Sequence, residues 1–260
     1  MQYTRFLVLG DSFSEGMSDE IINGNYRGWA DRVADVLATQ SPEFKYANFA
    51  IRGKLVKQVF EEQVPLALPL INGPQTLVSF HAGANDALRP NFDRNVVRTA
   101  YVKAVTQLVQ TGASILLFTV LEKNGNGGKA SAVWEERMSS FNSIVREVAD
   151  KFGLMIMDAS MDPQSSNPNL LAFDRLHLNS TGHYRVAHAV LERIGAPFDS
   201  GWRNAAIASK KKSWIIRKGL TLLWFLTFAL PWIWRRIRGR SSGDGRSGKY
   251  TSLTSWPVAH

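Results

Sequence analysis

The stretch FLVLGDSFSEG, residues 6–16, runs four apolar residues straight into Gly10-Asp11-Ser12. A serine hydroxyl is a weak nucleophile until a base takes its proton, and histidine is the usual base. That base needs a carboxylate to fix its tautomer and to stabilise its cation. The stretch FDRLHLNSTGH, residues 173–183, supplies Asp174 and His177 three positions apart. That spacing puts two side chains on one side of a turn or short helix. Attack on a carbonyl also calls for donors to the developing oxyanion. HAGANDAL, residues 81–88, offers the amide of Asn85 and a close backbone approach at Gly83; NFAIRGK, residues 48–54, offers the bare backbone of Gly53. Each of these stretches, taken alone, also reads as an ordinary polar turn, because Gly, Asn, Asp and Ser are common turn residues.

The elements that would position these residues are legible as alternating patterns. Residues 6–9, 46–49, 76–80, 114–120 and 154–157 are short apolar, β-rich runs that read as buried strands. Between them lie helical stripes: Trp29, Val33 and Leu37; then Val97, Tyr101, Val105 and Leu108; then Trp134, Met138, Phe141, Val145 and Val148; then Val186, Val190, Leu191 and Ile194. Stripes of this kind pack a core. Strand–helix alternation implies a parallel sheet covered on both faces, and sites in such sheets form beyond the carboxyl ends of the strands. Ser12 follows the first strand at such an end, and residues 81–86 follow the third. KNGNGGK, residues 123–129, reads as a flexible loop, with neither a phosphate-loop nor a dinucleotide-binding pattern.

As an ordered set, these stretches resemble the SGNH, or GDSL-type, hydrolases. Gly10-Asp11-Ser12-Phe13-Ser14 is similar to the first block of that family, with Phe13 where the name-giving motif has leucine. Gly53 matches the second block, Gly83-Ala84-Asn85-Asp86 the third and Asp174-Arg175-Leu176-His177 the fifth, so the likeness covers roughly residues 4–195. The resemblance implies a three-layer α/β/α sandwich with a flavodoxin-like parallel sheet, and cleavage of esters or thioesters. It implies Ser12 as nucleophile, His177 as base and then acid, and Asp174 as its orienting carboxylate. The backbone N–H groups of Ser12 and Gly53 and the side chain of Asn85 would form the oxyanion hole. Asp11 reads as a structural hydrogen-bonding residue. No cofactor and no metal are implied, and His183 and His188 lie in no zinc pattern.

The chain has no cysteine, which excludes disulfides, thiolate metal sites and a cysteine nucleophile. Its net charge of +9 is unevenly placed: residues 1–200 hold 19 Lys/Arg and 21 Asp/Glu, whereas residues 201–260 hold 12 Lys/Arg and only Asp244. Six of the eight tryptophans also lie beyond residue 200. Residues 219–234 carry no charge for 16 positions, fewer than the ~20 apolar residues that span a bilayer. Lysines 210–212, Arg217 and Lys218 flank one side of that run; Arg235, Arg236, Arg238 and Arg240 flank the other. This pattern suits a helix lying in the headgroup region of an anionic membrane, through residues 210–240. The same helix could instead cover the mouth of the active site. Nucleic acid is disfavoured, because phosphate binding would use the cations but leave the apolar run unburied.

The expected organisation is a hydrolase domain over residues 1–197, a linker over 198–213, a basic, aromatic helix over 214–240 and a disordered tail over 241–260. The four-residue apolar run near the N-terminus is too short for a secretory h-region of roughly 7–15 residues. A cytoplasmic protein, peripheral at the inner face of the membrane, is the corresponding expectation. The expected activity is serine-dependent ester hydrolysis through an acyl-enzyme, with a lipid or other acylated amphiphile as substrate. A carbohydrate or small-ester deacetylase, an acyltransferase using the same three residues, and a non-catalytic membrane scaffold remain as alternatives.

Overall fold

A computed structural model describes residues 2–122, 129–205 and 213–256. Most of the 123–129 loop and all of lysines 210–212 lie outside the described residues. In chain order the elements are β1 (Arg5–Gly10), α1 (Ser12–Glu15), the hairpin β2 (Ile21–Ile22) and β3 (Asn25–Tyr26), α2 (Gly28–Gln40) and β4 (Lys45–Asn48). Next come α3 (Val56–Gln58) and α4 (Val64–Ala67), joined by a wide helical turn at Val59–Gln63, then β5 (Thr76–His81), α5 (Ala84–Ala87), α6 (Arg94–Val109) and β6 (Ser114–Phe118). The remainder is α7 (Lys129–Phe152), β7 (Met155–Met157), α8 (Ser180–Arg193), α9 (Trp214–Trp224), a wide turn at Phe225–Ala229 leading into α10 (Leu230–Ile237), and β8 (Tyr250–Ser255).

The main sheet has the order β7-β6-β5-β1-β4-β8, with β8 antiparallel to β4 and the other neighbours parallel. Parallel strands buried on both faces read as continuous apolar runs, and Phe6, Leu7, Val8 and Leu9 are all fully buried. Their period of two splits them between two cores. Leu7 and Leu9 join Val78, Phe80, Tyr101, Val105, Phe141 and Val145 under α6 and α7. Phe6 and Val8 join Trp29, Val33, Leu37, Val190 and Leu191 under α2 and α8. Each large side chain so buried contributes about 1.5–3 kcal/mol before conformational entropy is subtracted. The result is the three-layer α/β/α sandwich expected from the sequence, and it brings the carboxyl ends of β1 and β5 side by side, Gly10 opposite His81.

The C-terminal organisation departs from expectation. Residues 241–260 do not all form a disordered tail: Tyr250–Ser255 is β8 and completes the sheet. YTSLTS has little apolar content, but backbone pairing to β4 supplies what composition does not. Tyr250 and Trp256 also pack on Tyr46, with ring centroids 5.7 and 5.0 Å away. The linker over 198–213 likewise contains a helical turn at Ser200–Arg203, tied to α8 by Trp202 Nε1, which donates to Glu192 at 3.1 Å. The domain therefore includes chain on both sides of α9 and α10.

Lys249 is a second anchor of this returning segment. Its ammonium is buried, 2.7 Å from Asp31 Oδ1, and donates to the carbonyls of Tyr26 and Arg27 at 2.8 and 2.9 Å. Burial pushes the Asp31 carboxyl up and the Lys249 ammonium down, and the charge of each opposes the shift of the other. Removing one partner of such a pair leaves an uncompensated charge in the interior. Lys249→Ala is expected to lose about 3–5 kcal/mol of stability in urea unfolding; a loss below about 1 kcal/mol, the range of exposed pairs, would show that the pair does not hold the tail.

Candidate active site

β1 ends at Gly10 because nothing larger fits. A Cβ there would run into the carbonyl oxygen of His81 on the neighbouring strand. The buried amide of Gln63 closes on the same residue from the other side: Gly10 N–H donates to Gln63 Oε1 at 2.8 Å, and Gln63 Nε2 donates to Gly10 O at 2.9 Å. The chain then turns out of the sheet. Asp11 caps α1, accepting from Phe13 N–H at 3.1 Å, and Ser12 is the first residue of that single turn.

The carboxylate and imidazole come from a tight loop ahead of α8. His177 O accepts from Ala172 N–H at 2.8 Å, Leu171 bridges to Leu178, and Arg175 turns the tip with φ of 61°. Asn179 closes the loop: its Nδ2 donates to the carbonyls of Asn169 and Leu171, and its Oδ1 caps α8 by accepting from Gly182 N–H. The Asp174 carboxylate collects four donors. Oδ1 accepts from the N–H groups of Leu176 and His177 at 2.9 and 3.0 Å, and Oδ2 lies 2.7 Å from His177 Nδ1 and accepts from Ser18 Oγ at 3.3 Å. His177 Nε2 lies 3.0 Å from Ser12 Oγ. Burial acts to raise the Asp174 carboxyl, but the hydrogen bond and charge of His177 and the two backbone donors outweigh it and hold the group below its ordinary value.

Asn85 is buried beside this line, and both hydrogens of its amide are engaged. Nδ2 donates to Asp11 Oδ2 at 3.0 Å and to Lys54 O at 3.2 Å. The Gly53 loop is held between the other parts. Arg52 on one side bonds Glu15 of α1, its N–H donating to Oε2 at 2.7 Å, and Lys54 on the other side accepts from Asn85. Gly53 has φ of 77°, and Ser241 of the returning tail lies where a Cβ would be, so only glycine fits. Asp11 plays the structural part expected of it, meeting Phe13, Asn85 and His81, whose Nδ1 is 3.4 Å away. A cleft of about 670 Å³ opens over Ser12, Asn85 and His177 and runs past Phe13, Phe118, Met157 and Val186. No cluster of three or more metal-ligating side chains occurs among the described residues.

A sequence model of the GDSL-like Lipase/Acylhydrolase family matches residues 8–185, which contain every residue of this constellation. The chain belongs to that family. GDSL-like lipase/acylhydrolases are carboxylic ester hydrolases, and this chain is one by membership. No curated relative matches at a significant level. Solved structures agree on the fold. Axe2, an acetyl xylan esterase from Geobacillus stearothermophilus, is similar in the form of a single-substitution variant with TM-score 0.62 and 19% identity, over 80% of this chain and 100% of that one. LAE5, an alpha/beta hydrolase enzyme from the metagenome of Lake Arreo, Spain, has TM-score 0.60 and 20% identity, over 78% and 97%. The psychrotrophic esterase EstA from Pseudoalteromonas sp. has TM-score 0.57 and 19% identity, over 74% and 97%.

Three participants carried no signal in the sequence. Gln63 is one polar residue in a helical stretch, Ser18 sits in a turn, and Trp224 lies 50 positions beyond Asp174, to whose carbonyl it donates at 2.9 Å. His183 is a buried group that lines the cleft. Burial pushes its imidazole down to about 4, although its Nε2 is bonded to Met17 O at 3.1 Å. Between about 4 and ~6.5 the ring is therefore neutral in the folded protein and takes a proton on unfolding. The stability from this group is complete above its ordinary value of ~6.5 and is lost as pH falls from there through about 4, on the order of 3 kcal/mol. His183→Gln is expected to flatten the acid side of a stability–pH curve relative to the parent; parallel curves would refute the assignment.

Proposed function

We propose that this family member cleaves carboxylic esters with Ser12 as nucleophile, His177 as general base and acid, and Asp174 as the group that orients and supports the imidazole. The observation that carries the reading is the continuous hydrogen-bonded line from Asp174 Oδ2 through His177 to Ser12 Oγ, at 2.7 and 3.0 Å. His177 Nε2 takes the Ser12 proton as Oγ attacks the ester carbonyl. The same nitrogen returns the proton to the departing alcohol, leaving an acyl-serine. Water then enters and attacks the acyl carbon, losing a proton to Nε2, which delivers it to Ser12 Oγ as the acyl–oxygen bond breaks and the acid leaves. The N–H groups of Ser12 and Gly53 and the amide of Asn85 face the developing oxyanion in this scheme. Asn85 would exchange its longer bond, to Lys54 O, for the oxyanion.

The cleft favours a bulky apolar acyl group over acetate, since a void of about 670 Å³ with walls such as Phe118, Met157 and Val186 is far larger than an acetyl group needs. The substrate we propose is an acylated amphiphile at an anionic membrane surface. Two features support that location: α9 and α10 expose Leu222, Leu226, Trp234 and Ile237, and the residues around them are basic. Anionic lipid is concentrated on the cytoplasmic leaflet, which accords with a cytoplasmic, peripheral protein. An acetyl ester of a sugar, the substrate class in the name of Axe2, is the rival that a panel of acyl chain lengths would separate.

Ser12→Ala is expected to abolish turnover of a soluble ester and labelling by a fluorophosphonate probe, with the thermal transition unmoved; persistent turnover after purification would refute the nucleophile. Asn85→Ala is expected to lower kcat by ~10²–10³ with KM little changed, since the donor acts as the oxyanion forms. A loss confined to KM would make Asn85 a substrate-binding group. Because Asp174 is held below its ordinary carboxylate value, it is expected to add no step of its own, and kcat/KM is expected to fall on the acid side with a slope of one, as a single general base requires. A profile with two protons lost, or none, would contradict that assignment.

A further inference from the structure

The exposed helix formed by α9, the wide turn and α10 is fixed to one domain at both ends and in the middle. Ahead of it, Trp202 bonds Glu192, and Asn204 O accepts from Arg185 Nη1 at 2.9 Å. Behind it, Gly243 lies against the carbonyl of Arg52, Lys249 is buried on Asp31, and β8 pairs with β4. At its midpoint Trp224 Nε1 donates to Asp174 O at 2.9 Å and Arg175 donates to Thr221 Oγ1 at 3.0 Å. The Arg175 guanidinium also lies 4.8 Å from the Trp224 ring centroid. Half-buried residues recur every four positions on the face that carries these contacts: Leu220, Trp224, Phe228 and Trp232. Leu222, Leu226, Leu230, Ile233 and Ile237 are exposed.

The segment Trp214–Arg235, 22 residues that contain an 18-residue window of mean hydropathy 1.2, is long and apolar enough to cross a bilayer by length and composition. At 1.5 Å per residue it reaches ~33 Å, against a hydrocarbon core of ~30 Å. A crossing would place Asn204 and Ser241 on opposite sides of the membrane, although both flanks are attached to the same domain. It would also draw Asp174 and Arg175 to the mid-plane of the bilayer, where a guanidinium is costly. We infer that the helix instead lies flat on an anionic bilayer as a strap tethered at both ends, with its exposed apolar residues in the lipid and the mouth of the cleft seated beside them. This rests on the membrane reading above and adds the tether at both ends, the lipid-facing residues and the placement of the cleft beside them.

Three observations fit lipid as the occupant. Each end of the helix pairs a tryptophan with a cation, Lys218 Nζ at 5.0 Å from the Trp214 ring and the Arg238 guanidinium at 4.4 Å from the Trp234 ring. Aromatic rings with adjacent cations suit the headgroup level. The apolar surface also continues onto the catalytic loop, where Phe173 and Leu176 are exposed and Leu176 lines the cleft. Finally, the segment carries 12 Lys/Arg against one acidic residue from 201 onward, complementary to anionic headgroups.

The full chain has no cysteine, so single cysteines can report its sidedness. Asn204→Cys and Thr251→Cys, both at exposed positions, would be added to preformed vesicles of phosphatidylserine and phosphatidylcholine and treated with a membrane-impermeant maleimide. Both are expected to react as completely before detergent as after it. Protection of either one until detergent is added would overturn the strap, because it would mean a crossing. In a second arm, Leu222→Glu with Leu226→Glu is expected to reduce cosedimentation with these vesicles at least tenfold while leaving kcat/KM on a soluble ester within about twofold. Unchanged cosedimentation would overturn the outward face. If the parent chain itself fails to bind vesicles yet hydrolyses the soluble ester, the membrane location falls and the strap with it, while the serine mechanism stands.

Discussion

The end of β1 is the constraint on which the site depends. Gly10 is held in three directions at once: by His81 O of β5 at its Cα, by Ile51 N–H, which donates to its carbonyl at 3.1 Å, and by the Gln63 amide at both its N–H and its C=O. A strand fixed so closely cannot continue past β5, and Asp11 must lead the chain out of the sheet. Because Asp11 then caps α1 and accepts from Asn85, the position of Ser12 relative to Asn85 follows from where Gly10 is fixed. Ser12 is thus placed by backbone and buried amides rather than by its hydroxyl's own contacts, which leaves the hydroxyl free to face the cleft.

The partner half of the site is built on a different principle. Asp174 and His177 sit on an irregular loop whose geometry comes mainly from local bonds; three of them converge on the Asp174 carboxylate, which also accepts from the distant Ser18. Arg175 adopts a left-handed conformation at the tip, costly for a residue with a long side chain, and its guanidinium is held over Trp224. One half is rigid because the sheet is rigid; the other is rigid because an apolar helix from elsewhere in the chain leans on it. Hydrogen bonds join the two halves, from Asp174 Oδ2 to His177 Nδ1 at 2.7 Å and from His177 Nε2 to Ser12 Oγ at 3.0 Å.

Much of this was legible in the sequence. Five strands and four long helices announce themselves by continuous apolar runs and by four-residue spacing, and the sheet order brings Ser12 and residues 81–86 together as the alternation implies. Asp174 and His177 were legible because their spacing is local. What escaped were contacts made at long range by residues of unremarkable type. Gln63 looks like any polar position on a helix. Tyr250–Ser255 follows a Gly/Ser-rich stretch and lacks alternating apolar residues, because it forms only one edge and rests mainly on backbone pairing and two aromatic rings. The apolar stretch around Trp224 signals burial or lipid by composition, but nothing in it reveals that the indole N–H meets the carbonyl of Asp174.

The antiparallel closure of β4 by β8 has a bearing on solubility. Without β8, residues Lys45–Asn48 would offer unpaired N–H and C=O groups along a sheet edge, and Tyr46 would lose the ring cover of Tyr250 and Trp256. Such an edge is a template for strand pairing between molecules. Proteolytic clipping ahead of Tyr250 would thus bare an edge prone to pair with other molecules, although Ser12, Asp174 and His177 would all still be present. The short polar strand takes over that edge and carries few apolar side chains on it.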